Sequence, residues 1–96
     1  MTGPTRDLAE IILRDCAKLQ EEDADRANRH GYSKHQPAKP LYTTEDVEAA
    51  LPLFRVCETG EETRLNPQIT FQFYPSAHIP GACSAVIRCY GRTIVF

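Results

Sequence analysis

The residue whose side chain is most suited to chemistry is His78, which lies in a loop after a segment of alternating apolar and polar residues. Gln68–Tyr74 places apolar residues at every second position, and Pro75–Gly81 follows as a tight, largely apolar stretch. A neutral imidazole is a preferred zinc ligand, and a loop at the end of a strand holds it in a fixed direction. One imidazole cannot build a metal site by itself, so the remaining ligands must be sought elsewhere.

Neighbouring side chains offer other chemistry, each with a simpler interpretation. Ser76 could be a nucleophile, but no Gly-x-Ser-x-Gly elbow surrounds it, which favours a loop-capping hydroxyl. Cys83 fits a small packing residue. Phe73 and Tyr74 could stack on bases, although alternating aromatic residues in a strand usually pack in the core. We therefore assign no catalytic residue and keep His78 as the candidate metal ligand.

An acidic run at Glu21–Asp25 could hold a metal or a substrate, or it could be the solvated face of a helix. The second interpretation is favoured because two pairs of opposite charge stand at helical spacing: Glu22 with Arg26, and Asp25 with Arg29. His30 and His35 flank a proline-containing connector and are expected at the surface.

The amino-acid composition narrows the possible classes of protein but does not identify a function. The 96 residues fit at most one small domain, residues 1–96, with ordinary apolar (42%) and charged (25%) fractions. The net charge of −2 is unlike the basic surface of most free-standing nucleic-acid binders. The four cysteines form no Cys-x-x-Cys pair, no secretory signal precedes them, and no apolar run approaches the ~18 residues of a membrane span. We expect reduced thiols and a cytoplasmic protein without membrane contact.

The hydrophobic period changes along the chain from helical to alternating. Apolar residues from Leu8 to Leu19 recur at helical spacing, which predicts a long helix from about Arg6 to Arg29, with Thr5 as N-cap and Gly31 as stop. A short helix capped by Thr43 should follow and end or bend at Pro52. Strands are then expected at these segments: Phe54–Cys57, Gln68–Tyr74, Cys83–Cys89 and Arg92–Phe96, with turns at Gly60, Asn66-Pro67 and Tyr90-Gly91. The fold class is α+β, with helices first and an antiparallel meander second.

The loop around His78 resembles the third metal-binding motif of the metallo-beta-lactamase fold, in the form used by RNA-processing beta-CASP nucleases. That motif usually reads Asp-Ala-Gly-His-Ile-Leu-Gly-Ser-Ala, and here Pro75, Ala77 and Pro80 replace the acidic residue, the glycine and the leucine. Other segments resemble landmarks of the same family in the same order, so that the resemblance covers nearly the whole chain: Thr5–Leu8, Gln20–Ala24, Asn28, Leu41–Val47 and Ile94–Phe96.

The resemblance implies an internal slice of a catalytic domain with an αββα sandwich, in which His78 is the ancestral ligand of zinc and RNA is the substrate. The family's His-x-His-x-Asp-His and Ser-Gly-Asp motifs are absent from the sequence. We therefore expect a fragment of a zinc-dependent RNA nuclease, without tightly bound zinc, tight RNA binding or turnover of its own. Two alternatives stay open: a stand-alone interaction module that forms homo-oligomers, and one half of a split metalloenzyme that a partner completes.

Overall fold

A 28-residue helix, α1 (Gly3–His30), opens the chain in the computed structural model, which describes all 96 residues. Its first hydrogen bond runs from the Arg6 amide to the Thr2 carbonyl oxygen at 3.1 Å, so Thr2 occupies the N-cap position. It ends at Gly31, which has a φ of 67° and donates its amide to the Ala27 carbonyl oxygen at 2.9 Å. Glycine tolerates this left-handed conformation at a helix end. The predicted helix and its stop are confirmed, but the prediction of Thr5 as N-cap is wrong, because Thr5 lies inside the first turn.

The chain divides into two compact units, residues 8–54 and residues 1–7 with 55–96. In the first unit, polar side chains of α1 bind the backbone of the connector that follows it. The Asn28 amide donates to the Ala38 carbonyl oxygen at 3.0 Å and accepts from the Ala38 amide at 2.7 Å. Gln20 accepts from the Leu41 amide at 2.9 Å. These bonds satisfy backbone groups that have no partner in regular secondary structure.

The second helix, α2 (Thr44–Ala50), begins with a capping box and continues as a 3-10 helix, Leu51–Leu53. Thr43 accepts from the Asp46 amide at 3.2 Å, and the Asp46 carboxylate accepts from the Thr43 amide at 2.8 Å. The Thr43 amide, together with the Thr43 hydroxyl that also donates to this carboxylate at 2.9 Å, holds the pKa of Asp46 below its ordinary value. The predicted cap is confirmed, as is the end of the α-helix at Pro52, which forms part of the 3-10 turn.

Burial in this unit is confined to small or branched side chains, namely Ala17, Ala24, Ala27 and Val47. The three alanines share one face of α1. The larger apolar residues that reveal the helix in the sequence are mostly exposed, among them Ile11 at 66%. The periodicity therefore identifies the helix but not its buried face.

Four antiparallel strands form the second unit in the spatial order β1 (Glu62–Asn66), β2 (Ile69–Pro75), β3 (Cys83–Cys89) and β4 (Arg92–Val95). Two-residue turns join β1 to β2 and β3 to β4. Tyr90 and Gly91 in the second turn have φ values of 50° and 73°, as a type I′ hairpin requires. The α+β class and the meander are confirmed, whereas the sandwich and the single domain stay predictions.

One predicted strand is wrong, and one observed strand is absent from the prediction. Phe54–Cys57 forms no strand, because the Cys57 amide donates to the Met1 carbonyl oxygen at 2.9 Å instead of joining a ladder. Glu62–Asn66 forms β1, although only one of its five residues is apolar. It pairs with β2, with Glu62 opposite Gln72 and Thr63 opposite Phe71. Pairing with an available neighbour thus prevails over local apolar alternation.

No helix of the chain is both long enough and apolar enough to cross a bilayer.

The capping box provides a test of how α2 is stabilised. Thr43→Ala removes the hydroxyl that caps the Asp46 amide and should lower the free energy of unfolding by about 1 kcal/mol. Thr43→Ser retains the hydroxyl and should behave like the wild type. Urea unfolding followed by circular dichroism at helical wavelengths measures the difference. Equal losses in both variants would contradict the cap.

Candidate functional site

Residues 76–82 connect β2 to β3 and carry His78. The base of this loop is closed by a hydrogen bond from the Ser76 amide to the Ala82 carbonyl oxygen at 3.0 Å. A second bond, from the Ala82 amide to the Ile79 carbonyl oxygen at 3.0 Å, tightens the turn that follows His78. Ala77 immediately precedes His78 with a φ of 56°, a conformation that few residues other than glycine adopt readily. The backbone direction at His78 is therefore set by local turns.

Gly81 fixes this loop against the first turn of α1. Its carbonyl oxygen accepts from the Thr2 hydroxyl at 2.9 Å and from the Thr5 hydroxyl at 3.3 Å. Its φ is 85°, and a Cβ built on it would lie 2.9 Å from the Thr5 amide and from both hydroxyls. Only glycine fits both the conformation and the space.

A cavity of about 540 Å³ lies beside the loop, between the first turn of α1 and residues 57–59, which follow the 3-10 helix. Four side chains with metal-binding or acid-base potential line it: Cys57, Glu58, His78 and Cys83. His78 is exposed, and no hydrogen bond is present at its imidazole. The imidazole is therefore accessible to a ligand or a partner.

The donors that line this cavity do not fit a closed zinc site. A structural zinc ion needs four ligands and a catalytic one needs three with an open position. No group of three or more His, Cys, Asp or Glu side chains in the chain is close enough to hold a metal ion. Within this chain the geometry allows His78 to contribute one ligand to a metal site.

The other candidate residues of the loop and of β2 lie apart from any catalytic arrangement. Phe73 is half-buried and packs edge-on against Phe71, with ring centroids 5.1 Å apart. Tyr74 is more exposed, and its hydroxyl donates to Gln72 at 2.7 Å. Ser76 is exposed on the loop. None of the four cysteines forms a disulfide.

The acidic run lies on a mostly exposed part of α1, but its predicted ion pairs are wrong. Arg26 contacts Asp23 at 3.3 Å, where Glu22 is the expected partner, and no ion pair joins Asp25 to Arg29. Glu21 instead accepts from the Thr44 amide at 3.1 Å and from its hydroxyl at 2.9 Å, at the start of α2. At least one acidic residue of the run therefore supports the fold. His30 and His35 are exposed, as expected.

Three residues that sequence reasoning did not select belong to the site: Thr2, Cys57 and Glu58. Thr2 is 5% exposed and fixes Gly81, whereas Cys57 and Glu58 share the cavity with His78. They stand about twenty residues or more from the loop in sequence. A hydroxyl near the start of a helix is an ordinary capping signal, so no local pattern distinguishes its contact with a distant carbonyl.

Comparison with known proteins gives one clear similarity. Over 89 residues the chain is 33% identical to Ribonuclease TTHA0252 of Thermus thermophilus, a match that covers 93% of this chain. The chain spans 16% of the length of that protein. No protein-family profile matches the chain. The similarity supports a nuclease-related origin, and the beta-CASP assignment stays a prediction.

The contact at Gly81 can be tested against a glycine in a similar conformation. Gly91 has a φ of 73° with no atom within 4 Å of a Cβ, so Gly91→Ala should cost only backbone strain, about 1 kcal/mol. Gly81→Ala adds a steric conflict, which should cost a further ~1 to 3 kcal/mol. Urea denaturation compares the two free energies of unfolding. A loss in Gly81→Ala no larger than that in Gly91→Ala would disprove the steric constraint.

Proposed function

We propose that this chain is part of an RNA-cleaving hydrolase with the metallo-beta-lactamase fold, of the beta-CASP group and cytoplasmic. The observation that carries the proposal is its 33% identity, over 89 residues, to a portion of a protein named as a ribonuclease. The ordered resemblance of the His78 loop and of the helical segments to that group agrees with this origin. In this proposal RNA is the substrate of the complete protein and zinc its metal.

His78 has the properties that a single contributed ligand requires. It is exposed, it lines a cavity, and the loop that carries it is fixed by Gly81 and by hydrogen bonds at its base. A fixed backbone lowers the entropy lost when the imidazole binds a metal. The other ligands would come from segments outside the 96 residues, in the same polypeptide or in a partner.

The chain by itself is expected to bind zinc weakly and to leave RNA intact. Calorimetric titration with zinc at neutral pH should show little heat, because His78 has no neighbouring set of donors. Labelled single-stranded RNA incubated with the chain and excess zinc or manganese should remain uncleaved in both the wild type and His78→Ala. Tight stoichiometric zinc binding, or metal-dependent cleavage, that is lost in His78→Ala would overturn the proposed inactivity of the isolated chain.

The exposed edge of β4 favours a second candidate function, a module that pairs with another copy of itself. Ala85 and Phe96 exchange two backbone hydrogen bonds of 3.0 Å, so by the antiparallel alternation Thr93 and Val95 direct their backbone groups away from β3. Ile94, Val95 and Phe96 are all exposed, Phe96 at 76%. An apolar edge with free backbone groups is a template for strand pairing.

A proline at Val95, whose backbone groups face away from β3, distinguishes pairing at the edge of β4 from other modes of self-association. Val95→Pro removes a backbone N–H that makes no bond to β3, and should reduce self-association while the fold is retained. Val95→Thr keeps the N–H and should associate like the wild type. Light scattering over a range of concentrations reports the assembly, and circular dichroism checks the fold. A wild-type monomer at all concentrations, or equal association in both variants, would exclude the edge as an interface.

A further inference from the structure

The chain carries a net charge of −2, but its charges are unevenly distributed along the sequence. Residues 26–44 contain no Asp or Glu, although the chain has thirteen such residues. The same segment holds four of the eleven Arg and Lys residues and two of the three histidines. It begins in the last turn of α1 and continues through the connector. The acidic whole-chain charge therefore conceals a basic surface segment.

The structure brings part of this segment around one concavity. Lys34, His35 and Lys39 line a pocket of about 580 Å³, together with Gln36 and Pro37. All of the groups that line it are either basic or neutral. No salt bridge engages Lys34 or Lys39, whereas Arg26 contacts Asp23. Two ammonium groups and an imidazole without carboxylate partners therefore border the same space, a donor set suited to a phosphate-bearing ligand.

The connector is held in place rather than left as a loose loop. Asn28 of α1 makes two hydrogen bonds to the backbone of Ala38, next to Lys39. The His35 amide donates to the Ser33 hydroxyl at 3.1 Å. All three bonds lie within residues 26–44, the segment that borders the pocket. Pre-ordering of the backbone reduces the entropy lost when the basic side chains bind an anion.

An exposed aromatic ring lies within the same basic segment. Tyr32 is 63% exposed, and its neighbours Gly31 and Ser33 line an adjoining cavity of about 350 Å³ with His35. An exposed ring flanked by basic residues in the sequence offers a stacking surface for an unpaired base, which is the usual complement to phosphate contacts in single-strand binding. Tyr32 and Leu41 are the large exposed apolar side chains of residues 26–44, and two such residues do not make the broad apolar face that a membrane-surface segment needs.

We infer that residues 29–39 bind the phosphodiester backbone of single-stranded RNA, with Lys34 and Lys39 contacting phosphates and Tyr32 stacking on a base. This surface goes beyond the proposed function because it requires neither His78 nor a metal ion. With so few phosphate contacts, the affinity should lie in the weak range of non-specific complexes, roughly 10⁻⁴ to 10⁻⁶ M, and depend strongly on salt. It is therefore compatible with the expectation that the chain does not bind RNA tightly.

The test is fluorescence anisotropy of a short labelled oligouridylate with the purified chain in excess EDTA, at several salt concentrations. The double variant Lys34→Gln/Lys39→Gln should bind about fivefold more weakly at low salt. The slope of log K against log salt should become shallower by about 1.4, because each single-strand phosphate contact contributes about 0.7. Lys18→Gln/Arg64→Gln makes the same charge change at exposed residues outside the segment and should retain more of the affinity and the full slope.

Further arms separate charge from stacking and RNA from other anions. Tyr32→Ala should weaken binding of the oligouridylate but leave binding of inorganic polyphosphate unchanged, because only RNA has bases to stack. His78→Ala should bind RNA like the wild type, so loss of hydrolysis and loss of this surface are distinguishable. Equal affinity and slope in the two double variants would overturn the inference. Binding to anionic phospholipid vesicles without binding to RNA would also overturn it, in favour of a membrane surface.

Discussion

The geometry of the His78 loop depends on the contact between Gly81 and the first turn of α1, which is made through the Gly81 carbonyl oxygen. This oxygen accepts from the Thr2 and Thr5 hydroxyls, and the space where a side chain would begin is occupied by the same two residues. The hydrogen bonds and the missing Cβ act together, because the carbonyl approaches this closely only when the residue is glycine. The first turn of α1 thereby determines where the loop between β2 and β3 can lie, and with it the direction in which His78 is presented.

Polar contacts also position the segments of residues 8–54. Buried side chains there are few and small, while α1 binds the following segments through Gln20, Glu21 and Asn28. Arg14 forms a bidentate ion pair with Glu48, with N–O distances of 2.6 and 3.1 Å, and also contacts Glu10. The Arg14 guanidinium holds the pKa of Glu48 below its ordinary value, so this stabilisation is present above the unfolded pKa and is lost as the pH falls through the folded one. Such contacts specify position through direction and charge more than through buried area.

The His78 cavity and the connector pocket, the two regions that could bind a ligand, differ in the groups that they lack. The His78 cavity has several donor types but no set that closes around a metal ion. The connector pocket has cations without carboxylate partners, and so a surplus of one charge. A cavity with a single exposed ligand fits a contribution to a larger site, whereas a surplus of positive charge can attract a polyanion without further groups. The similarity to part of a ribonuclease gives both features a common context.

The sequence by itself determined the elements whose signals are local. The Gly31 stop, the Thr43 cap and the Tyr90-Gly91 turn each depend on the conformational preference of one or two residues. Strand β2 was also evident, because its apolar residues recur with the period of the pleat, and β3 was evident as an apolar run before the Tyr90-Gly91 turn. Tertiary structure alone decided four features: the pairing of the polar strand β1, the absence of a strand at Phe54–Cys57, the partner of Glu21 and the contact between Thr2 and Gly81. Each of these depends on which distant group is available for a hydrogen bond, and residue type and spacing do not encode that choice.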